Sequence, residues 1–365
     1  MHFDVVVIGG GATGTAVFRD MAMRGLRTAL IERSRIAEGT TKHSHQNLVG
    51  GMRYVVKDPN VARDCAQENW ILSHTAPEIM EEKRGYFLGF RNDYVERAIK
   101  SARSLGVLTK ELDVAEIHRE IPSVNRDIDI AIQTEDRNID ATAFCKLNCL
   151  SAIDQGGILL EMTNILDIEK NETFTIRTDG HTIEASLIVN AAGPWANSVA
   201  SMLDCEIPLI YSQGTVIVQR TLSDRSIQYL RDPGGGDAYI VHGDHAWLGT
   251  TSTTIPHPRY ASPEGWAEGY LKDRFSPIIP GVRDQPSLRL FVGVRPLMAT
   301  PGFSRDFQIL EPLPGFITVV GGKLTTARLM GELTSDHLCR KLDTSKVCRT
   351  ATTTLNRNYM NRGNT

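Results

Sequence analysis

Apolar positions in the first 33 residues form two unbroken runs with a helix-spaced run between them. Asp4-Val-Val-Val-Ile8 carries a continuous apolar stretch of the kind a strand buried on both faces requires. It breaks at Gly9-Gly10-Gly11-Ala12-Thr13-Gly14, after which Ala12, Ala16, Val17 and Met21 recur on one helical side as far as Gly25. Thr28 to Ile31 reads as a second buried strand, closed by Glu32. The pattern predicts strand, glycine turn, helix, strand and acid, in that order.

Farther along, the pattern changes. Residues 60–83 read as a helix with Val61, Cys65, Ile71 and Leu72 inward. A short strand at 86–90, helices at 95–105 and 114–121 and an alternating strand at 128–134 cannot extend a simple βαβ series, so they belong to a second lobe. A helix at 141–155, a strand at 158–161 and a hairpin over 174–185 return to the first lobe. Strands around Val216 and Ile240, a Gly234-Gly-Gly-Asp turn and Trp247-Leu-Gly-Thr-Thr-Ser252 supply the second lobe's sheet, with a helix over 265–275. Strands follow at 288–294 and from Gly315, and beyond Leu342 the chain turns polar, with 356–365 expected as a loose tail.

A chain of 365 residues exceeds the size at which one core stops growing, which favours two packed lobes. The net charge of -3 offers no broad attraction for nucleic acid or anionic lipid. No apolar run is long enough to span a membrane, and the first strand begins at residue 3, so a cytoplasmic protein is expected. The six cysteines show no C-x-x-C spacing, and the pairs His43/His45 and His242/His245 have no cysteine or carboxylate beside them at metal spacing. Reduced thiols and no metal are the expectation.

The opening stretch carries chemistry if a dinucleotide binds there. Gly9 permits the tight turn, Gly11 lets a pyrophosphate approach without a Cβ in the way, and Gly14 lets the helix pack on the strand. The helix N-terminus offers N–H groups and the positive end of its dipole. Glu32 lies roughly 20 residues beyond the turn, where a carboxylate takes hydrogen bonds from ribose hydroxyls. NAD and FAD both satisfy this pattern.

Other stretches add candidates. The loop from Gly39 to Tyr54 is rich in small, hydroxyl and basic residues, and its Gly50-Gly51 pair implies a close backbone approach. Leu187-Ile-Val-Asn-Ala-Ala-Gly-Pro-Trp195 reads as a buried strand running into a helix start. Gly321-Gly322 ends another strand and opens a helix, repeating the logic of the first turn. Arg53, Arg295 and Lys323 each stand near a glycine of these turns, where fixed cations can grip an anion and favour a developing alkoxide.

With Ile8-Gly-Gly-Gly-Ala-Thr-Gly14, Gly51-Met-Arg-Tyr54, Val189-Asn-Ala-Ala-Gly-Pro-Trp195, Gly249-Thr-Thr251, Gly293-Val-Arg-Pro-Leu297 and Gly321-Gly-Lys-Leu-Thr-Thr326 in order, the sequence resembles the FAD-dependent glycerol-3-phosphate dehydrogenases. These belong among the D-amino-acid-oxidase-like flavoproteins, and the resemblance is greatest to the catalytic A subunit of the anaerobic branch. It implies an α/β fold, a Rossmann-like FAD/NAD(P)-binding domain with an inserted mixed or antiparallel-sheet substrate domain. The corresponding division is 1–77, 140–207 and 291–342 for the cofactor lobe, 78–139 and 208–290 for the substrate lobe, and 343–365 as a C-terminal tail.

The resemblance also implies FAD, held by Gly9, Gly11, Ala12, Thr13, Gly14, Glu32 and Arg33 at the first turn and by Thr40, Thr41, Asn47 and Leu48 in the loop. Ile165, Ala192, Gly193, Gly293 and Arg295 would follow, then Gly321, Gly322, Lys323, Leu324 and Thr325. Arg53, Tyr54, Arg295 and Lys323 would bind the substrate, with Arg53, Arg295 and Lys323 also catalytic. Three positions depart from the family: Val49 replaces a histidine, Gln213 a common lysine and His242 a frequent proline. His45 and His242 therefore become the candidate bases. The implied reaction oxidises sn-glycerol 3-phosphate to dihydroxyacetone phosphate, with electrons passed to a partner subunit or quinone. That partner would also allow peripheral attachment to the inner face of the cell membrane. The residues themselves leave open another small anionic substrate on the same fold, or a non-catalytic FAD-binding subunit of an electron-transfer complex.

Overall fold

The computed structural model describes residues 1–231, 238–299 and 306–355. The Gly234-Gly-Gly-Asp turn and the loose tail 356–365 lie outside the described residues.

Two parallel pairings centre the first sheet on His2–Ile8, which lies between Thr28–Ile31 and Thr182–Asn190. Phe316–Gly321 adds a further parallel strand beyond Thr182–Asn190. All of Thr28–Ile31 is buried, as an unbroken apolar run demands, and so are the last four residues of His2–Ile8. Val5 and Val7 enter one apolar cluster while Val6 and Ile8 enter another, so both faces of the sheet are covered. Chain order reverses on either side of His2–Ile8, and the glycine turn opens at that point, where doubly wound sheets form their ligand crevice.

Among the described residues, the second sheet has nine strands and is mixed. Tyr86–Gly89 runs parallel to Ile227–Leu230, and the other pairings are antiparallel. Its long member, Leu209–Arg220, pairs with Arg289–Met298 from Leu209↔Met298 to Val218↔Arg289. Residues 291–298, assigned from the sequence to the cofactor lobe, therefore hydrogen-bond into the second sheet. The apolar run at 288–294 gives a strand but not its partner, and register against a distant strand fixes the sheet it joins.

The end of the chain also differs from expectation. Residues 343–355 pack back onto the first lobe instead of forming a tail. Leu355 is 1% exposed, and its N–H donates to the Thr75 carbonyl. Arg19 and Arg24 donate to the Thr353 and Lys346 carbonyls, and Arg349 to that of Met23. Beneath this segment, Arg328 of the helix Ala327–Lys341 forms a buried ion pair with Glu68 of the helix Pro59–Thr75, with Arg328 Nε donating to Glu68 Oε2 at 2.8 Å. Among the described residues, no helix is long and apolar enough to cross a membrane.

Candidate active site

A cavity of about 770 Å³ lies between the two sheets, and the glycine turn, the Gly39–Tyr54 loop, the Gly193 corner and the Gly321–Thr325 turn all reach its wall. On the first-lobe side the backbone leaves no room for side chains. Gly9 has φ +109°, and a Cβ there would lie 2.6 Å from the Ala191 carbonyl oxygen. A Cβ on Gly14 would lie 1.9 Å from the Gly9 carbonyl oxygen. Gly11 is different, since its Cβ would meet only the Thr41 hydroxyl, at 3.3 Å, so this face of the turn stays open.

The carboxylate of Glu32 stands directly behind the turn. Its Oε2 accepts from the Gly10 N–H at 2.7 Å and its Oε1 from the Ser34 N–H at 2.8 Å. Thr41 Oγ1 accepts from the Ala12 N–H at 3.0 Å, joining the loop to the helix start. Arg33 lies over the Trp195 ring at 4.3 Å from its centroid. Gly193, Gly321 and Gly322 all have positive φ, so the other two turns bend inward without strain. A glycine cradle, a helix N-terminus and a carboxylate at the cavity wall fit a dinucleotide, with Thr40, Thr41, Asn47, Ile165, Ala192, Leu324 and Thr325 able to line its course.

Three residues of the expected cofactor set do not reach the wall. Leu48 is 1% exposed and belongs to the apolar core, and Gly14 serves the contact between helix and strand. At Gly293 a Cβ would meet the His43 carbonyl oxygen at 2.4 Å, so this glycine admits the loop rather than a ligand. Gly50 and Gly51 also face protein. A Cβ on Gly51 would lie 2.4 Å from the Ala62 carbonyl oxygen, and one on Gly50 would crowd Asp136 and Glu135.

Arg53, Tyr54, His45, Arg295 and Lys323 meet at the same cavity. Lys323 Nζ sits 4.6 Å from the centre of the Tyr54 ring, which joins the Gly321 turn to the loop. Arg295 is anchored by Nη2, which donates to the carbonyls of Thr251 at 2.7 Å and Gln213 at 3.1 Å. Gly214 makes room for it, since a Cβ there would fall 2.7 Å from Nη2. His45 is half-buried, but its Nε2 is fully enclosed and has no hydrogen-bond partner. Burial first, and then the charges of Arg53, His242 and Arg295, push its pKa down to about 3, so the ring is neutral.

His242, the other candidate base, lies outside the cavity wall. Its Nε2 is 3.0 Å from the His45 carbonyl oxygen, which can only accept, so that nitrogen carries the proton. Its ring packs on Trp247 at 4.1 Å, and burial lowers its pKa. Gln213 is likewise buried, its Oε1 accepting from the Ser262 N–H at 3.2 Å. Val49 does line the cavity, and its N–H donates to Thr325 Oγ1 at 3.0 Å. Sequence reasoning missed Gln228, Phe87, Lys57, Trp195 and Ser252 on the wall. Gln228 lies on the strand Ile227–Leu230, which the sequence pattern did not mark, and nothing local points it at a site. Among the described residues, no group of three or more His, Cys, Asp or Glu side chains could hold a metal ion.

The fold and cavity define a two-lobe dinucleotide-dependent enzyme architecture, and comparison with known proteins narrows it. The family profile described as FAD dependent oxidoreductase matches residues 4–337, and the chain belongs to this family. FAD is its cofactor. The chain is 32% identical to the A1 subunit of the anaerobic glycerol-3-phosphate dehydrogenase of Haloferax volcanii, over 95% of this chain and 65% of that one. It is also 32% identical to the A subunit of the Escherichia coli K12 enzyme, over 95% and 69%. The chain thus spans about two thirds of the length of the curated relatives it matches. The same fold occurs in the Geobacillus kaustophilus glycine oxidase, with TM-score 0.77 and 19% identity over 98% of this chain and 99% of that one. It occurs too in the FAD-bound L-alpha-glycerophosphate oxidase of Mycoplasma pneumoniae, with TM-score 0.78 and 17% identity over 96% and 97%.

Proposed function

We propose that this chain oxidises sn-glycerol 3-phosphate to dihydroxyacetone phosphate and passes the electrons to a partner subunit or a quinone. The observation that carries the reading is that Arg53, Arg295 and Lys323 line one cavity with the dinucleotide cradle. The glycerol-3-phosphate dehydrogenase relatives with 32% identity support the choice of alcohol.

Converting a secondary alcohol to a ketone removes a hydride from carbon and a proton from oxygen. Bound FAD supplies the hydride acceptor. The three cations hold the phosphate and favour the alkoxide developing at C2, while a histidine or an ordered water takes the hydroxyl proton as the ketone forms. A partner follows the same reading, since both of these relatives are named as one subunit of a dehydrogenase.

An anaerobic titration of the FAD-loaded protein with sn-glycerol 3-phosphate tests this. The oxidised-flavin absorbance is expected to bleach, and Lys323→Ala to lower kcat/KM by about 2–4 kcal/mol, on the order of 30- to 1,000-fold. A fully loaded flavin that stays oxidised would remove the proposed substrate.

A further inference from the structure

Gln228, on the strand Ile227–Leu230, is 5% exposed and lies on the cavity wall, yet neither cofactor binding nor proton transfer calls for it. Both ends of its amide are in use. Nε2 donates to Asp136 Oδ2 at 2.6 Å, and Oε1 accepts from Arg53 Nη1 at 3.0 Å. Asp136 is 2% exposed, and its other oxygen accepts from the Gly50 N–H at 2.7 Å and Thr134 Oγ1 at 3.1 Å. One enclosed carboxylate therefore fixes both the turn that delivers Arg53 and the amide that its guanidinium meets. Because a carboxylate only accepts, it selects the amide orientation, with NH₂ toward Asp136 and C=O toward Arg53.

We propose that Asp136 and Gln228 are positioning residues that hold Arg53 in register with the anionic group of the substrate, a role that rests on the reading of Arg53 as an anion contact. Through this link Arg53 is oriented by a neutral amide, so the contact adds no negative charge beside the anion. Asparagine at 136 would keep the Oδ1 contacts to Gly50 and Thr134 but present N–H where Oδ2 stood. The Gln228 amide would then turn round and face Arg53 with its donors.

The test uses FAD-loaded Gln228→Met, Asp136→Asn and the double variant, with inorganic phosphate binding followed by calorimetry and glycerol 3-phosphate turnover by a dye acceptor. Each single variant is expected to raise the phosphate Kd and the substrate KM on the order of tenfold, with kcat within about threefold. The double variant is expected to match Gln228→Met alone, because Asp136 acts through the amide. A merely structural role would instead lower flavin occupancy and kcat together. If Met at 228 reduces flavin occupancy, Gln228→Glu keeps the shape and decides: phosphate binding weakened tenfold or more supports the proposal, and unchanged binding overturns it. Single variants with phosphate Kd within twofold of wild type at full flavin loading would overturn it, as would additive losses in the double variant. Wild type that binds phosphate but is not reduced by glycerol 3-phosphate would discard the substrate and leave the positioning role to be decided by Kd. Wild type that binds no phosphate would discard the role itself.

Discussion

His45 and Asp136 sit close to the same arginine, and burial shifts their proton affinities in opposite directions. For His45 the folded pKa falls from 6.5 to about 3, so its contribution to stability is complete above pH 6.5 and lost as pH falls toward 3. For Asp136 burial raises the value from 3.8 to about 6, so its contribution is complete below pH 3.8 and lost as pH rises through 6. Urea midpoints measured from pH 4 to 7 are expected to show His45→Asn gaining on wild type as pH falls and Asp136→Asn gaining as pH rises. Curves parallel to wild type would refute both assignments. In the sequence, the two candidate histidines were indistinguishable, because what tells them apart is a single long-range contact: His242 donates to the carbonyl of His45. Leu48 and Gly293 misled for the same reason, since small and apolar residues near a motif suit a ligand and a neighbouring backbone equally well.

Strands and turns were more legible. The uninterrupted runs at 5–8 and 28–31 predicted buried parallel strands because few other elements accept apolar residues on every face. Leu209–Arg220 was only partly readable, because its buried Ser212, Gln213, Thr215 and Gln219 interrupt the apolar signal. Ser212, Gln213 and Thr215 find hydrogen-bond partners in distant segments, such as Thr251 Oγ1, which accepts from the Thr215 N–H at 2.9 Å. The first turn makes a prediction at this scale. Gly14→Ala places a Cβ 1.9 Å from a backbone oxygen, which cannot rotate away, so the helix Ala12–Met23 must shift off its strand. Destabilisation by about 1–3 kcal/mol is expected, with reduced flavin occupancy. Thermal unfolding and the flavin absorbance of the purified variant measure the two effects.

At the largest scale, contacts join segments far apart in the sequence, as between the helices Pro59–Thr75 and Ala327–Lys341. Glu68 and Arg328 are 1% and 5% exposed, and Arg328 also pairs with Glu332, so it is the removal of Arg328 that leaves an enclosed carboxyl, Glu68, without its ion-pair partner. Arg328→Met is expected to cost about 3–5 kcal/mol in urea denaturation, and adding Glu68→Met to recover much of it. Equal stability of the single variant and wild type would show that the pair carries no such strain. The central strand of the first sheet has a further consequence for how the protein is made. A ribosome delivers His2–Ile8 well before its neighbour Thr182–Asn190, and Phe316–Gly321 later still. The wall formed by Gly321, Gly322 and Lys323 does not exist until then. Capture of the flavin therefore waits until residues 316–325 have been made, and a nascent chain stalled before residue 316 carries the glycine turn but no vessel to hold what it binds.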